Sequence, residues 1–354
     1  LAVLIGLSAC SMTWALDADA ALARTITFAG VFVLLHLFAL LDTPFLRTAW
    51  TALFASAALS VLAGLTLPAE SAFADEGRFT SGGLNPNDYA GLLLVILFAA
   101  GSLARGGRVG RAALALLLLA GVLWSGSRTA FVALAAAPVL LIAFSPSQRR
   151  GAALRKGAAA YVAALLAVGA VYALDSSQAQ ALHARAATIT DYRNESTWAG
   201  RLDIWRGGLE LVAARPLLGS GAGNFPIAAT AVSGIPQRST DGAPGQVAHN
   251  VLLGMTAELG LAGLLVFSFL LARALMRARA LARVEPMGSA LLLGLLAYSL
   301  MAMSLSWEYA KVAYMLMGSV LALGGATIAA RAAPAERSTR LSMGGRLSPT
   351  RTPP

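Results

Sequence analysis

Long apolar stretches alternate with short polar segments along most of the chain. A helix needs about 20 apolar residues to cross the hydrocarbon core of a bilayer, and fewer when it packs among other helices. The pattern therefore predicts ten membrane-spanning helices, at residues 1–16, 22–41, 47–67, 88–104, 112–124, 129–144, 157–174, 249–272, 287–305 and 309–329. The predicted fold is all-α, a polytopic transmembrane helical bundle. Because the chain starts at Leu1 rather than Met, we expect about two further helices, twelve in all, in a full-length protein.

One long segment, residues 175–248, separates the seventh and eighth predicted helices. Within it, residues 200–214 have the spacing of an amphipathic helix, with one apolar stripe formed by Leu202, Trp205, Leu209 and Val212. Such a helix is suited to lie at the membrane surface. Pro216 and the glycines that follow it end the helix. The segment is therefore predicted to form a helical cap outside the membrane.

Basic residues concentrate in alternate loops, near Arg47, at 105–111, at 149–156 and at 273–283, and in the tail after residue 331. The positive-inside rule assigns these loops to the cytoplasm and the 175–248 segment to the other side, the periplasm or cell exterior. We expect N-terminal transmembrane helices at 1–79, a main membrane domain at 80–330 that includes the periplasmic segment, and a disordered basic cytoplasmic tail at 331–354.

The composition agrees with a membrane protein, because 57% of the residues are hydrophobic and 12% are charged. A soluble domain has about 25% charged residues. The net charge of +10 follows from the basic cytoplasmic loops, so no nucleic-acid partner is needed to explain it. The single cysteine, Cys10, excludes an internal disulfide framework.

Three residues on the predicted external side are candidates for chemistry. Arg128 lies at the outer mouth of a helix, Arg201 opens the amphipathic helix, and His249 lies where the chain re-enters the membrane. An arginine fork binds phosphate in a bidentate manner, and histidine can accept a proton near neutral pH. Interfacial arginines also reach towards lipid phosphates, and histidines also cap helices, so the residue types alone leave both interpretations open.

Other polar residues have a structural interpretation beside a functional one. Asn85 begins a turn that is typical of a helix N-cap, and its amide could also bind a sugar. Glu258 lies about two turns inside the membrane, where an acid is either functional or paired with another helix. Asp17 and Asp19 form a pair that could hold a divalent ion, although acidic turns between helices are common.

Several short motifs, taken in order, resemble the O-antigen ligase family, which shares a domain with O-antigen polymerases. They are Gly83–Asn87, Ser125–Arg128, Gly200–Trp205, Pro216–Phe225, Ala248–Asn250 and Glu258–Gly260. The resemblance covers roughly residues 80–325. No single motif is specific, and the ordered set together with the long external segment is what makes the resemblance.

The resemblance implies a multi-pass glycosyltransferase of the bacterial inner membrane whose active site faces the periplasm. Such enzymes move a glycan from undecaprenyl diphosphate to a hydroxyl acceptor, which for a ligase is lipid A-core. The reaction is inverting and independent of a metal or another cofactor. Carried over by motif, Arg128 and Arg201 bind the diphosphate and His249 is the general base. Asn85, Asn250 and Glu258 are accessory candidates.

Other functions are compatible with the same sequence. A polymerase or a protein O-glycosyltransferase shares the donor chemistry and differs only in the acceptor. A membrane transporter belongs to a different class, and it is expected to contain inverted repeats, broken helices and polar sites at the membrane midplane. No repeat is evident in the sequence, and the charged candidates lie at the outer surface.

Overall fold

The structure is a computed structural model that describes residues 1–66, 73–74, 78–103, 105–145, 200–233 and 246–326, with scattered positions between 150 and 180. Within these ranges the chain forms eleven helices: α1 (Ala2–Ser11), α2 (Ala18–Leu40), α3 (Thr43–Thr66), α4 (Pro86–Leu103), α5 (Arg108–Trp124), α6 (Arg128–Phe144), α7 (Gly200–Ala214), α8 (Phe225–Ser233), α9 (Val251–Val284), α10 (Pro286–Ala302) and α11 (Lys311–Ala326). Two short strands, β1 (Phe73–Ala74) and β2 (Arg78–Phe79), pair as an antiparallel hairpin.

The all-α prediction is confirmed, and every predicted span except 157–174 coincides with one of these helices. The span at 157–174 and much of the 175–248 segment lie outside the described residues. Three helices, α2, α3 and α9, are long and apolar enough to cross a membrane, and α1, α4, α6, α10 and α11 are shorter apolar helices. The chain is therefore a helical membrane-type protein.

Helix α10 lies at the centre of the bundle and packs against α4, α6 and α9. The adjoining helices are joined by specific contacts between large and small residues. Trp50 on α3 donates its indole N–H to the Ser319 hydroxyl on α11 at 3.0 Å. Gly318 lets α11 approach α2, since a Cβ there would lie 2.4 Å from the Leu35 carbonyl oxygen. These contacts place α2, α3 and α11 on one side of the central helix.

Loops that were predicted to share a membrane face contact each other. At one end of the bundle, Arg279 donates to the Phe144 carbonyl at 3.0 Å, and Arg105 donates to the Thr48 hydroxyl at 3.3 Å. At the other end, Asn224 forms a pair of hydrogen bonds with the backbone of Asp17, at 2.7 and 3.0 Å. The assignment of these two ends to opposite sides of a membrane remains a prediction.

Helix α9 is broken at Gly260, whose backbone has φ 66° and ψ −167°. The sequence analysis predicted one continuous helix at 249–272, and that prediction is wrong at this position. The backbone groups released by the break bond to the loop between α7 and α8. Leu261 donates its N–H to the Pro216 carbonyl, while Ser220 and Gly221 donate to the carbonyls of Ala257 and Glu258, each at 2.9 Å. A break at membrane depth is tolerated because the loop satisfies these groups.

Helix α7 has the predicted bounds, but its buried face differs from the predicted stripe. Leu202 and Leu209 are 49% and 62% exposed, whereas Ile204 and Leu211 are 5% and 1% exposed. The reason is a close approach at Gly208, where a Cβ would lie 2.8 Å from Leu253 on α9. Glycine adds nothing to a hydrophobic pattern, so the packing of this face against the bundle could not be predicted from the pattern.

Replacing Gly260 by alanine is expected to destabilise the protein by about 3 kcal/mol or more, because a Cβ strains this backbone and would lie 2.0 Å from the Leu217 carbonyl oxygen. Thermal unfolding in detergent measures the effect. Gly254→Ala is the matched control, since Gly254 is helical and its Cβ would meet nothing closer than 3.4 Å. Equal unfolding temperatures for the two variants would contradict the break described here.

Candidate functional site

The turn between α10 and α11, residues 303–310, contacts the parts of the chain that carry all three predicted site residues. The Ser304 hydroxyl accepts a hydrogen bond from Arg201 at 2.8 Å. The Ser306 hydroxyl accepts the backbone N–H of His249 at 3.0 Å. Ser304 also lies beside Thr129, the residue that follows Arg128. This 303–310 turn is therefore the common support of the site.

Arg128 and Arg201 come from two separate helices and lie close enough to repel each other. Helix α6 begins at Arg128 because Gly126 turns the chain with φ 61° and the Ser127 hydroxyl accepts the Ala130 N–H as an N-cap. Burial lowers the pKa of Arg201, and the positive charge of Arg128 lowers it further. Two like charges held together in a partly buried position form a site that favours an anion between them.

His249 is held in a strained backbone conformation beside Arg201. Among the described residues, His249 is the one non-glycine residue with a positive φ, which is 47°. Trp205, one helical turn after Arg201 on α7, donates its indole N–H to the Ala248 carbonyl at 3.0 Å. Helix α7 therefore carries one of the arginines and also fixes the residue before His249. Strained residues of this kind cluster at functional sites.

The His249 imidazole is neutral at physiological pH. Burial lowers its pKa from 6.5 to about 4, and the positive charge of Arg201 contributes to the shift. A neutral imidazole has a nitrogen lone pair that can accept a proton. The site thus combines two cationic side chains with one neutral acceptor, a set that can bind an anion and deprotonate a neighbouring hydroxyl group.

The three accessory candidates, Asn85, Asn250 and Glu258, all make structural hydrogen bonds. Asn85 accepts the N–H of Asn87 at 2.9 Å. Asn250 caps α9 by accepting the N–H groups of Leu252 and Leu253, and it donates to the Met303 carbonyl at 3.3 Å. The Glu258 carboxylate accepts the N–H groups of Gly223 and Phe225 at 2.7 and 3.3 Å. Their accessory roles remain predictions.

The acidic turn with Asp17 and Asp19, a candidate metal site in the sequence, has a structural role. Asp17 is the N-cap of α2, and its side chain accepts the Ala20 N–H at 3.0 Å. Among the described residues, no group of three or more His, Cys, Asp or Glu side chains comes together.

Arg78 in the hairpin was not singled out from the sequence, although it supports the turn that precedes Arg128. Its Nε donates to the Ser125 carbonyl at 2.9 Å, and its Nη2 donates to the Asn87 side chain at 2.8 Å. These contacts join the hairpin, the first turn of α4 and the end of α5. Arg78 therefore helps to fix the place where α6 and its first residue begin.

A second group of charged residues lies on the 303–310 turn towards α2, and Arg24, which belongs to it, was not singled out from the sequence. The Arg24 guanidinium lies 3.9 Å above the centre of the Tyr309 ring, in a cation–π contact. Glu308 is 5% exposed, and burial together with the nearby Glu258 carboxylate raises its pKa to about 8. This group connects α2 and the break in α9 to the turn that supports the site.

One signal in the sequence could have identified Arg24 and Arg78. Both arginines lie in loops or helix ends on the face opposite the basic loops, where the positive-inside rule predicts few positive charges. An arginine that departs from this rule needs a local reason. Here the reason is a specific contact with a ring or with a helix end.

These observations describe a helical membrane-type protein in which two arginines and a buried, neutral histidine come together beside the 303–310 turn. Residues 113–268 match the family model described as O-antigen ligase, and this range contains Arg128, Arg201 and His249. The match supports the assignment of the chain to the O-antigen ligase family, and the resemblance seen in the sequence is confirmed. Members of the family are ligases and polymerases of the glycosyltransferase type, so the match supports an enzymatic function of that general kind.

No curated protein matches the chain at a significant level. One solved chain, from a structure described as "Structural coordination of polymerization and crosslinking by a peptidoglycan synthase complex", is 19% identical. The alignment covers 91% of this chain and 95% of that chain, with a TM-score of 0.45.

The low pKa of His249 can be measured by its reaction with diethyl pyrocarbonate, which modifies only the neutral imidazole. The chain has three histidines, so the double variant His36→Asn/His183→Asn retains His249 as its single histidine. Its modification rate is expected to have a midpoint near pH 4. Because the folded state holds the imidazole neutral, the contribution of this residue to stability is lost as the pH falls from 6.5 towards 4. The variant that lacks all three histidines is the control, and a midpoint near 6.5 would contradict the buried site.

Proposed function

We propose that the protein is an O-antigen ligase-type glycosyltransferase. It moves a glycan from undecaprenyl diphosphate to a hydroxyl of lipid A-core, with inversion and without a metal ion. The observation that carries the proposal is the convergence of Arg128, Arg201 and His249 around the 303–310 turn, although they are far apart in the sequence. All three lie within the range that matches the family.

The two arginines neutralise the leaving group. Cleavage of a sugar diphosphate leaves negative charge on the departing phosphate, and fixed cationic donors stabilise this charge as it develops. The Arg201 guanidinium is already held by Ser304, and the backbone of Arg128 is fixed in the first turn of α6. Guanidinium groups remain protonated at any relevant pH, so two of them supply the charge that a divalent ion supplies in other enzymes.

His249 takes the proton from the acceptor hydroxyl. Burial and the nearby positive charge of Arg201 make its basicity low. A diphosphate bound to Arg201 brings negative charge that offsets this effect and raises the affinity of the imidazole for a proton. Donor binding thereby prepares the base. Inversion requires the hydroxyl to approach the anomeric carbon opposite the diphosphate, so the base and the arginines act on opposite sides of the sugar.

The location follows from the charge pattern. The site lies at the end of the bundle opposite Arg105, which precedes α5, and Arg279, which lies near the end of α9. If the basic loops face the cytoplasm of a bacterial inner membrane, the site faces the periplasm. A polyprenyl donor then keeps its tail in the membrane lipids while its diphosphate reaches the arginines.

The broken helix α9 is the observation that favours a transporter, since broken helices bind substrates in several transporter folds. In this chain, however, the N–H of Leu261 and the carbonyls of Ala257 and Glu258 are bonded to the 216–221 loop. These backbone groups are already used within the protein. The break therefore supports a structural role better than a substrate site.

The proposal is tested with purified protein, an undecaprenyl-diphosphate-linked glycan, and three acceptors offered separately: lipid A-core, a second lipid-linked glycan and a serine-containing peptide. Transfer to lipid A-core is expected and should persist with EDTA. Arg128→Ala, Arg201→Ala and His249→Ala are each expected to lower kcat/KM by about 100-fold or more. Arg206→Ala is the matched control, because Arg206 is on the same helix as Arg201 and its side chain is 83% exposed.

Each alternative has its own outcome. Transfer only to the second lipid-linked glycan would make the protein a polymerase, and transfer only to the peptide would make it a protein glycosyltransferase. Loss of activity with EDTA would contradict the metal-independent mechanism. Full activity in the three variants would refute the site, and the absence of transfer to any acceptor would favour transport.

A further inference from the structure

The Ser304 hydroxyl joins the two helices that carry the arginines. It accepts a hydrogen bond from Arg201 Nη1 at 2.8 Å, and it lies 2.5 Å from the Thr129 hydroxyl in the first turn of α6. These partners are 103 and 175 residues away in the sequence, so the contact exists only in the folded protein. Ser304 itself lies outside the range that matches the family.

The chemistry of the groups fixes the direction of one bond. A guanidinium has only donors, so the Ser304 oxygen must be the acceptor of the Arg201 bond. A hydroxyl oxygen has a second lone pair and one hydrogen, and either can complete the bond with Thr129. One side chain therefore connects the Arg201 guanidinium to the residue that follows Arg128.

Such a connection is needed because the two arginines repel each other. Burial and the charge of Arg128 both act against the charged form of Arg201. A flexible arginine would relieve the repulsion by turning towards solvent, and the anion site would then have to be rebuilt when a substrate binds. A fixed donor keeps the site ready, which lowers the free energy of reorganisation on binding.

We propose that the Ser304–Thr129 hydroxyl pair is a positioning element that holds Arg201 next to Arg128 and so sets the affinity for a diphosphate. The inference rests on the proposed function, since it concerns the same anion site. Ser304 acts through Arg201 rather than on the substrate. Removal of its hydroxyl weakens diphosphate binding and leaves the acceptor KM unchanged.

The test is the binding of geranyl diphosphate, a short polyprenyl diphosphate, to the full chain in detergent by isothermal titration calorimetry. Ser304→Ala is expected to raise the Kd by about tenfold, the effect of losing a hydrogen bond to a charged group. Ser304→Thr keeps the hydroxyl and is expected to restore most of the affinity. Thr129→Val, which keeps the shape of the side chain, is expected to have a smaller effect in the same direction.

Two control variants remove hydroxyl groups whose hydrogen bonds, within the described part of the chain, stay inside their own helix. Ser299 donates to Leu295 on α10, and Thr256 donates to Leu252 on α9. Ser299→Ala and Thr256→Val are expected to bind like the wild type. Thermal unfolding identifies any variant that does not fold, and if Ser304→Ala is one of them, Thr129→Val carries the test.

A double-mutant cycle separates positioning from direct contact. If Ser304 acts through Arg201, Ser304→Ala has no further effect in an Arg201→Ala background. Fully additive effects would overturn the inference, as would wild-type affinity in Ser304→Ala. A protein that shows the expected coupling but transfers no glycan would refute the proposed function alone. A protein that transfers glycan but binds diphosphate equally well after Ser304→Ala would refute this inference alone.

Discussion

The pairing of a broken helix with a glycine-rich loop is the contact on which the end of the bundle that carries the candidate site depends. At Gly260 the helix opens, and residues 216–221 fill the opening with main-chain hydrogen bonds. The approach is so close that a Cβ at Gly219 would lie 2.4 Å from the Glu258 backbone. In a membrane protein, unpaired backbone groups are very unfavourable, so the loop and the helix can form only together. This mutual dependence fixes α7 and α8 against α9, and with them Arg201.

The same loop also fixes the N-terminal helices. Asn224 is fully buried and bonds to both the N–H and the carbonyl of Asp17, while the Ala222 N–H bonds to the Ser11 hydroxyl. The Glu258 carboxylate completes the loop by accepting the Gly223 and Phe225 N–H groups. The turn between α1 and α2 is therefore part of the support of the site, although none of its residues has a proposed role in the chemistry.

The helices were predictable because a bilayer imposes long apolar stretches that few other environments require. Arg128, Arg201 and His249 were predicted as site residues because charged or titratable residues at the predicted outer surface need an explanation, and their roles remain predictions. The break at Gly260 was missed because one glycine in a leucine-rich pattern reads as a continuous helix. Ser304 was missed for a different reason: a serine hydroxyl has many uses, and only partners that are distant in the sequence decide which one applies.

At His249, the left-handed backbone conformation is unfavourable for folding, whereas the imidazole is the group proposed to carry out the chemistry. A non-glycine residue in this region is less stable than glycine by about 1 kcal/mol. A chain selected for stability alone would carry glycine or asparagine at position 249, between Ala248, which is held by Trp205, and the cap residue Asn250. If the imidazole has the catalytic role proposed here, its retention is a trade-off between stability and activity, confined to one residue.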